Sequence, residues 1–126
     1  MSLTANITPG HTRGCTTWTT NVRENRKNFN VIFVCSTSSP GYKLTGNEKY
    51  PEIADDFTKT FARLRSMKAD IFLGSHGGFF GLADKIAKLN SGSSNPFIDP
   101  QGYKKYIESS EIAFRKKLTD QRRMAK

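Results

Sequence analysis

Apolar residues recur at every third or fourth position in three stretches of the chain, which is the period of an amphipathic helix packed on a core. The clearest stretch is Tyr50–Met67, where Pro51 suits the first turn of a helix. A shorter stretch, Leu82–Leu89, predicts a second helix, and Asp99 followed by Pro100 predicts the start of a third. The residues predicted to face the core are Ile53, Phe57, Phe61, Leu64 and Met67 in the first helix, Leu82, Ile86 and Leu89 in the second, and Tyr103, Ile107, Phe114 and Leu118 in the third.

Four other segments have the composition of β-strands. Thr-rich and aromatic residues favour strands, and the polar segment Asn21–Asn28 between two of them predicts a hairpin loop. The order of strands, helix, strand and helices predicts an α/β fold with one mixed or antiparallel sheet and helices on one face. The third strand is apolar at nearly every position, which predicts cover on both faces and hence a missing partner layer. The predicted strands are Leu3–Thr8, Cys15–Thr20, Phe29–Cys35 and Asp70–Gly74.

Length and charge narrow the classes of protein that this chain could be. Its 126 residues form one domain or part of one, and Met1–Leu3 could be native or left by cloning. The net charge is +9, but the basic residues are scattered, which favours solvated faces over a nucleic-acid surface. No apolar run is long enough for a membrane span, and the first residues lack a signal-peptide pattern. We therefore expect neither a nucleic-acid partner nor a membrane.

The candidate chemistry rests on two histidines. His11 follows the turn Pro9-Gly10 and His76 follows the last predicted strand, so both lie where strands give way to loops. A catalytic zinc site takes about three protein ligands, so two distant histidines are a weak metal signal and composition alone favours surface residues without a role. The two cysteines are too few for a disulfide framework and lack metal-finger spacing.

A serine-rich turn is the second candidate feature. Ser36 and Ser38 are two residues apart in an extended run, so both hydroxyls can face one side and, with Tyr42, bind an anionic group. An ordinary polar turn before Pro40 explains the same pattern. A serine nucleophile is not expected, because the chain has no Gly-x-Ser-x-Gly elbow.

Five collinear segments together resemble a metallo-β-lactamase of the third subclass of class B. They are TPGHTRGCTTWT, SSPGYKL, YPEIADDFTKTFARLRSM, DIFLGSH and NPFIDPQGYKKYIE. The resemblance implies a four-layer αββα sandwich, a site for two zinc ions, hydrolysis of the β-lactam amide bond in antibiotic resistance, and a periplasmic location. By motif match, His11 is similar to the third histidine of the first zinc site, and His76 to the last histidine of the second. Ser36 and Ser38 correspond to residues that bind the substrate carboxylate, and Tyr42 to a tyrosine near the substrate carbonyl oxygen.

The departures from the family pattern point to half of an enzyme. The His-x-His-x-Asp-His motif expected before the TPGHT turn does not occur, so four of the six expected zinc ligands and the partner layer are missing. The resemblance therefore implies that residues 1–126 form a carboxyl-terminal half, inactive alone and with no catalytic residue within this chain. We expect Cys35 to pack in its strand rather than bind zinc, and a disulfide found in many relatives is missing because Ala69 and Tyr103 occupy its positions.

Four interpretations remain open. The first is a half-enzyme that acts on a β-lactam only after pairing with the missing amino-terminal half. The second is a related hydrolase of the same fold that acts on a lactone or thioester. The third is a non-enzymatic module that dimerises through a bare sheet face, since an exposed apolar face favours self-association. A small basic nucleic-acid binder ranks last.

Overall fold

The computed structural model describes residues Met1–Ala125 and confirms the predicted α/β fold. Its sheet has the strand order β1-β2-β3-β4, with β1/β2 and β2/β3 antiparallel and β3/β4 parallel. A short 3₁₀ turn, Gly77–Phe79, precedes the second helix. None of the helices within residues 1–125 is both long and apolar enough to cross a membrane. The elements are β1 (Thr4–Ile7), β2 (Thr16–Glu24), β3 (Lys27–Val34), α1 (Ile53–Ser66), β4 (Ile71–Gly74), α2 (Leu82–Asn90) and α3 (Pro100–Met124).

The predicted hairpin loop Asn21–Asn28 is wrong. Strands β2 and β3 pair through this segment and are joined by the two-residue turn Asn25-Arg26, whose φ angles are +50° and +66°. Two consecutive positive φ angles are typical of a type I′ hairpin turn, which matches the twist of the flanking strands. The polar composition misled the prediction because this end of the hairpin lies in solvent, where a strand needs few apolar side chains.

Helices α1 and α3 cover one face of the sheet and form the core with it. The predicted stripe of α1 is confirmed, although Met67 lies just past the helix end and is only partly buried. The predicted face of α3 is also confirmed, and Asp99 caps the helix by accepting a 3.0 Å hydrogen bond from the Gly102 amide. The largest side chains that are almost completely buried are Ile32, Ile53, Phe57, Phe61, Leu64 and Ile107.

The predicted inward face of α2 is wrong. Ile86 and Leu89 are exposed by 43% and 48%, and Leu82 is only partly buried. The residue that faces inward is Lys85, whose Nζ lies 4.7 Å from the centre of the Phe72 ring. Helix α2 therefore turns Lys85, rather than Ile86 and Leu89, toward the aromatic core. The apolar stem of the lysine fills the space beside the rings.

The other face of the sheet is bare. Trp18 pairs with Phe33 across β2 and β3, and the row continues to Ala5 on one side and Leu73 on the other. Trp18 and Phe33 are 42% and 38% exposed, and Ile7 is 55% exposed. Within residues 1–125 no helix covers this row, whereas Ile32 and Val34 on the opposite face of β3 are buried. We call Ile7, Trp18 and Phe33 with their row the open face.

Candidate functional site

Topology brings the candidate residues to one end of the sheet. Strands β1, β3 and β4 run in the same direction, because β2 is antiparallel to both β1 and β3 and β4 is parallel to β3. The loops that follow these three strands therefore leave from the same end. These loops carry His11 after β1, Ser36, Ser38 and Tyr42 after β3, and His76 after β4.

The turn that carries His11 is packed closely on α1. Gly10 has φ of +144°, and a Cβ atom at this position would lie 2.6 Å from Phe57 Cδ1, so only glycine fits. The Thr60 hydroxyl donates a 2.6 Å hydrogen bond to the Pro9 carbonyl. These contacts fix the backbone conformation of the turn that precedes His11.

The imidazole of His11 has one nitrogen engaged and one nitrogen available. Nδ1 lies 2.7 Å from the Ser38 carbonyl oxygen, which can only accept, so Nδ1 donates. The Tyr42 ring stacks on the imidazole with 5.7 Å between centroids, and its hydroxyl lies 3.5 Å from the same Nδ1. In the neutral ring this arrangement leaves the lone pair on Nε2, which is the arrangement of a metal-binding histidine oriented by a backbone carbonyl.

Ser36 and Ser38 form a hydroxyl pair beside His11. Their Oγ atoms are 2.9 Å apart, and the Ser38 amide donates to Ser36 Oγ over 3.2 Å. Ser36 is buried and Ser38 is exposed, so the pair presents Ser38 to solvent. Both hydroxyls therefore face one side, and the geometry unites Ser36, Ser38, Tyr42 and His11 in one cluster.

His76 lies apart from this cluster and is connected to it by a series of contacts between aromatic rings. Its imidazole meets the Phe79 ring edge-on at 5.0 Å, and Phe79 stacks on Tyr106 at 5.6 Å. The Tyr106 hydroxyl in turn lies 3.0 Å from Thr37 Oγ1, in the serine-rich loop. His76 itself is exposed, and within residues 1–125 no hydrogen bond fixes its ring.

The donor set fits part of a zinc site. His11 offers Nε2, and the His76 ring contacts Phe79 and makes no hydrogen bond within residues 1–125. Among residues 1–125 no group of three or more histidine, cysteine or carboxylate side chains is placed to hold a metal ion. Since catalytic zinc takes about three protein ligands, the residues present fit zinc as contributors and fall short of a complete site.

The two cysteines are paired in a disulfide, which the sequence prediction missed. Cys15 and Cys35 are bonded with 5.7 Å between their Cα atoms, and Cys35 lies one residue beyond β3 instead of packing within the strand. The bond joins the loop of His11 to the loop of Ser36. A separation of 20 residues carries no local signal of this pairing, which forms where β2 begins and β3 ends.

An arginine anchor in the His11 loop was also missed. The Arg13 guanidinium donates to Glu52 Oε1 over 2.9 Å and to the Lys49 carbonyl over 2.9 Å, and lies 4.4 Å from the centre of the Tyr50 ring. The hydrogen bond from Arg13 holds the pKa of the Glu52 carboxyl below its ordinary value. Burial and the hydrogen bond to Asp56 raise the pKa of the Tyr50 hydroxyl, which stays neutral. The sequence held no signal for this anchor, because its members are far apart in the chain.

Comparison with solved structures identifies the class of protein with this fold. Native FEZ-1 metallo-β-lactamase from Legionella gormanii is 47% identical over 95% of this chain, with a TM-score of 0.92. A metallo-β-lactamase from Cronobacter sakazakii is 41% identical over 95% of the chain, with a TM-score of 0.89. BJP-1 from Bradyrhizobium japonicum, a subclass B3 metallo-β-lactamase, is 37% identical over 98%, with a TM-score of 0.90. No protein-family model matches the sequence.

This chain spans less than half the length of the enzymes that it resembles. It covers 46% of FEZ-1, 45% of the Cronobacter enzyme and 47% of BJP-1. The structure therefore has half of the metallo-β-lactamase fold, as the sequence predicts. The similarity supports membership of the metallo-β-lactamase family, a family of hydrolases.

Proposed function

We propose that this chain is the carboxyl-terminal half of a subclass B3 metallo-β-lactamase and that, joined to an amino-terminal half, it serves periplasmic, zinc-dependent hydrolysis of the β-lactam amide bond. The observation that carries the proposal is the His11 imidazole, whose Nδ1 is held by the Ser38 carbonyl while Nε2 remains available. Metal-binding histidines are commonly oriented in this way, by a hydrogen bond from the other ring nitrogen to a backbone carbonyl. The similarity to three metallo-β-lactamases across nearly the whole chain supports the same assignment.

Each candidate residue has a role that suits its position. His11 and His76 contribute neutral imidazoles to two zinc ions, at the same end of the sheet. Zinc bound there would act as a Lewis acid toward the lactam carbonyl. Ser38, exposed and oriented by Ser36, donates a hydrogen bond to the substrate carboxylate, and Tyr42 supports the imidazole of His11 by stacking.

The chain alone is expected to be inactive. Two imidazoles fall short of the roughly three protein ligands that a catalytic zinc takes, and residues 1–125 supply no third candidate beside them. The open face points to the same conclusion, since its exposed Trp18 and Phe33 suit the contact layer of a sandwich. An amino-terminal half would supply both the missing ligands and the cover for this face.

Zinc content tests the proposal directly. We expect this chain, dialysed against metal-free buffer at neutral pH, to retain almost no zinc by elemental analysis. Mixing it with the amino-terminal segment of the Legionella gormanii enzyme should restore tightly held zinc and hydrolysis of a chromogenic cephalosporin. Zinc held by this chain alone at about half an atom per chain or more, enough for one ion between two copies, would contradict the half-enzyme proposal.

Substitutions in the mixed sample assign the ligands. His11→Ala and His76→Ala should each abolish activity and lower the zinc content, whereas Lys59→Ala, at an exposed position on α1, should change neither. Acid should release the metal, because imidazole binds zinc only when it is deprotonated. Full zinc content in both histidine variants would refute the assignment.

The open face favours a second candidate, a module that dimerises without enzymatic activity. Sedimentation of this chain at several concentrations distinguishes the candidates once the amino-terminal segment is added. A half-enzyme should stop self-associating and bind the added segment, whereas a dimerising module should remain a homodimer. If the mixture is active, a panel of β-lactams, lactones and thioesters decides the substrate class.

A further inference from the structure

The serine-rich loop, residues 36–44, is tied to the last turns of α3 by one side chain that binds two backbone groups. The Gln121 carboxamide accepts a 2.7 Å hydrogen bond from the Leu44 amide and donates a 2.9 Å hydrogen bond to the Tyr42 carbonyl. A carboxamide has its acceptor on oxygen and its donors on nitrogen, so only this orientation of the group serves both partners. Leu44 is 3% exposed, which keeps water from replacing Gln121 at its amide.

A second tie to α3 lies one helical turn before Gln121. The Lys117 ammonium donates to the Ser39 carbonyl, which also accepts a 3.2 Å hydrogen bond from the Tyr42 amide. Residues four apart lie on the same face of a helix, so Lys117 and Gln121 reach the loop from the same side. Leu118 packs in the core and fixes this part of the helix.

The segment Ser39–Tyr42, between the two ties, is a tight turn. Pro40 and Gly41 occupy its central positions, and the φ of Gly41 is +65°. This arrangement, closed by the hydrogen bond between the Tyr42 amide and the Ser39 carbonyl, is typical of a type II turn. Proline restricts the backbone of such a turn. Anchoring both ends therefore also fixes the peptide group directly before it, which carries the Ser38 carbonyl.

That carbonyl is the acceptor that orients His11. It lies 2.7 Å from His11 Nδ1, and the Tyr42 ring stacks on the imidazole with 5.7 Å between centroids. Both contacts come from the segment that α3 holds in place. A neutral imidazole carries one proton, and the hydrogen bond made by one ring nitrogen decides which nitrogen keeps the lone pair. If the turn moved away, either nitrogen of His11 could carry the proton.

We propose that Gln121 is a positioning residue, which acts through the turn Ser39–Tyr42 to keep the proton of the neutral His11 imidazole on Nδ1 and the lone pair on Nε2. Neither of its two hydrogen bonds involves His11 itself. Lys117 supports the other end of the turn. The consequence for metal binding rests on the proposed function, whereas the position of the proton is a property of this chain without zinc.

The position of the proton can be measured by NMR in this chain alone. In mildly alkaline buffer an imidazole is neutral, and the nitrogen-15 chemical shifts of its two ring nitrogens give the ratio of the two tautomers. We expect His11 to be mainly in the form protonated on Nδ1. Gln121→Met keeps a similar side-chain size and removes both hydrogen bonds to the loop. It should lower the ratio of the Nδ1–H form to the Nε2–H form by about fivefold, the effect of losing one hydrogen bond.

Two matched variants and one internal control separate positioning from general stability. Lys117→Met should change the tautomer ratio of His11 in the same direction, by about twofold or more. Arg122→Met removes a positive charge from an exposed position of α3 next to Gln121 and should leave the ratio unchanged. The ring of His76 makes no hydrogen bond within residues 1–125, so its nitrogen signals should stay the same in every variant.

Zinc affinity in the mixture with the amino-terminal segment separates this inference from the proposed function. Gln121→Met should weaken zinc binding by about tenfold, as expected when the group that orients a ligand is disturbed. Excess zinc should then restore hydrolysis of the chromogenic cephalosporin. A changed tautomer ratio with unchanged zinc affinity would support the role of Gln121 and contradict the assignment of His11 as a zinc ligand.

Two results would overturn the inference. The first is an unchanged tautomer ratio of His11 in the folded variants Gln121→Met and Lys117→Met. The second is an equal change in His76 or in Arg122→Met, which would reduce the effect to general loosening or to net charge. Lys117→Met keeps the test decisive if Gln121→Met fails to fold.

Discussion

The loop that carries His11 and the loop that carries His76 are held in very different ways. Contacts from distant parts of the chain fix the first loop: the Thr60 hydroxyl binds the Pro9 carbonyl, Arg13 binds Glu52, and Cys15 is bonded to Cys35. Thr60 lies in α1, Glu52 directly before α1 and Cys35 directly after β3. The orientation of the His11 imidazole is therefore a property of the whole domain.

The second loop depends mainly on local contacts. The Phe79 amide donates to the His76 carbonyl over 3.0 Å, and the Phe80 amide donates to the Gly77 carbonyl over 3.3 Å. The ring of His76 touches Phe79, only three residues away. The comparison teaches that one candidate histidine is oriented by contacts from distant parts of the chain, whereas within residues 1–125 no hydrogen bond orients the ring of the other.

Substituting one glycine in each loop tests this difference, and the substitution in the His11 loop should have the largest effect on stability. Gly10→Ala would place a Cβ atom 2.6 Å from Phe57 Cδ1 at a φ of +144°. Phe57 is only 1% exposed and cannot move aside easily. Overpacking and backbone strain together should lower the free energy of unfolding by about 3 kcal/mol or more, measured by urea denaturation.

Gly78→Ala is the matched control in the His76 loop. A Cβ atom at Gly78 would meet nothing within 4 Å. The free energy of unfolding should change by about 0.5 kcal/mol or less. Equal losses in the two variants would show that the two loops are anchored alike.

Removing the disulfide should have the next largest effect. The double variant Cys15→Ser/Cys35→Ser removes a link across 20 residues, and the chain-entropy argument gives a loss of about 3 kcal/mol. Hydrogen exchange should also accelerate at the Thr8 amide, which binds the Cys15 carbonyl over 2.8 Å. Reduction of the unmodified chain should reproduce the result. An equal acceleration at the Phe79 amide would mean that the disulfide stabilises both loops without distinction.

Sequence patterns predicted the parts of the fold that depend on repeated local burial. The stripes of α1 and α3 were correct because each has at least four large apolar side chains at helical spacing on one face. The inward face of α2 was wrong because its core contact is made by Lys85, which a hydrophobic pattern counts as polar. The hairpin end was missed because Asn25 and Arg26 make their turn through backbone conformation alone.

For the candidate site, the sequence predicted that the candidate residues lie in loops at strand ends, but it did not predict the contacts among them. Strand order explains why the loops of His11, Ser36 and His76 leave from one end of the sheet. The hydrogen bond from His11 to the Ser38 carbonyl spans 27 residues, and that from Arg13 to Glu52 spans 39. Such pairs depend on how α1 and the loops pack together, which no local spacing encodes. Their roles in zinc and substrate binding stay predictions.

Acid should loosen the His11 loop, and this is the smallest effect that we expect. The hydrogen bond from Arg13 lowers the pKa of Glu52 below its ordinary value of 4.5, so the folded chain binds this proton less readily than the unfolded chain does. The stabilising contribution is therefore complete above pH 4.5 and is lost as the pH falls through the lowered pKa. Both side chains are exposed, so added salt should weaken the effect.

A local measurement is needed to detect this effect. The pKa values of Glu111 and Asp120 on α3 are also lowered, chiefly by hydrogen bonds from Arg65 and Lys116, so global unfolding in acid would mix the three carboxylates. Exchange at the Gly10 amide, which binds the Thr12 carbonyl over 3.0 Å, reports on the His11 loop alone. After correction for the intrinsic pH dependence of exchange, its protection should fall with Glu52 protonation. Arg13→Gln should remove that step, and a step that survives in Arg13→Gln would show that another group anchors the loop.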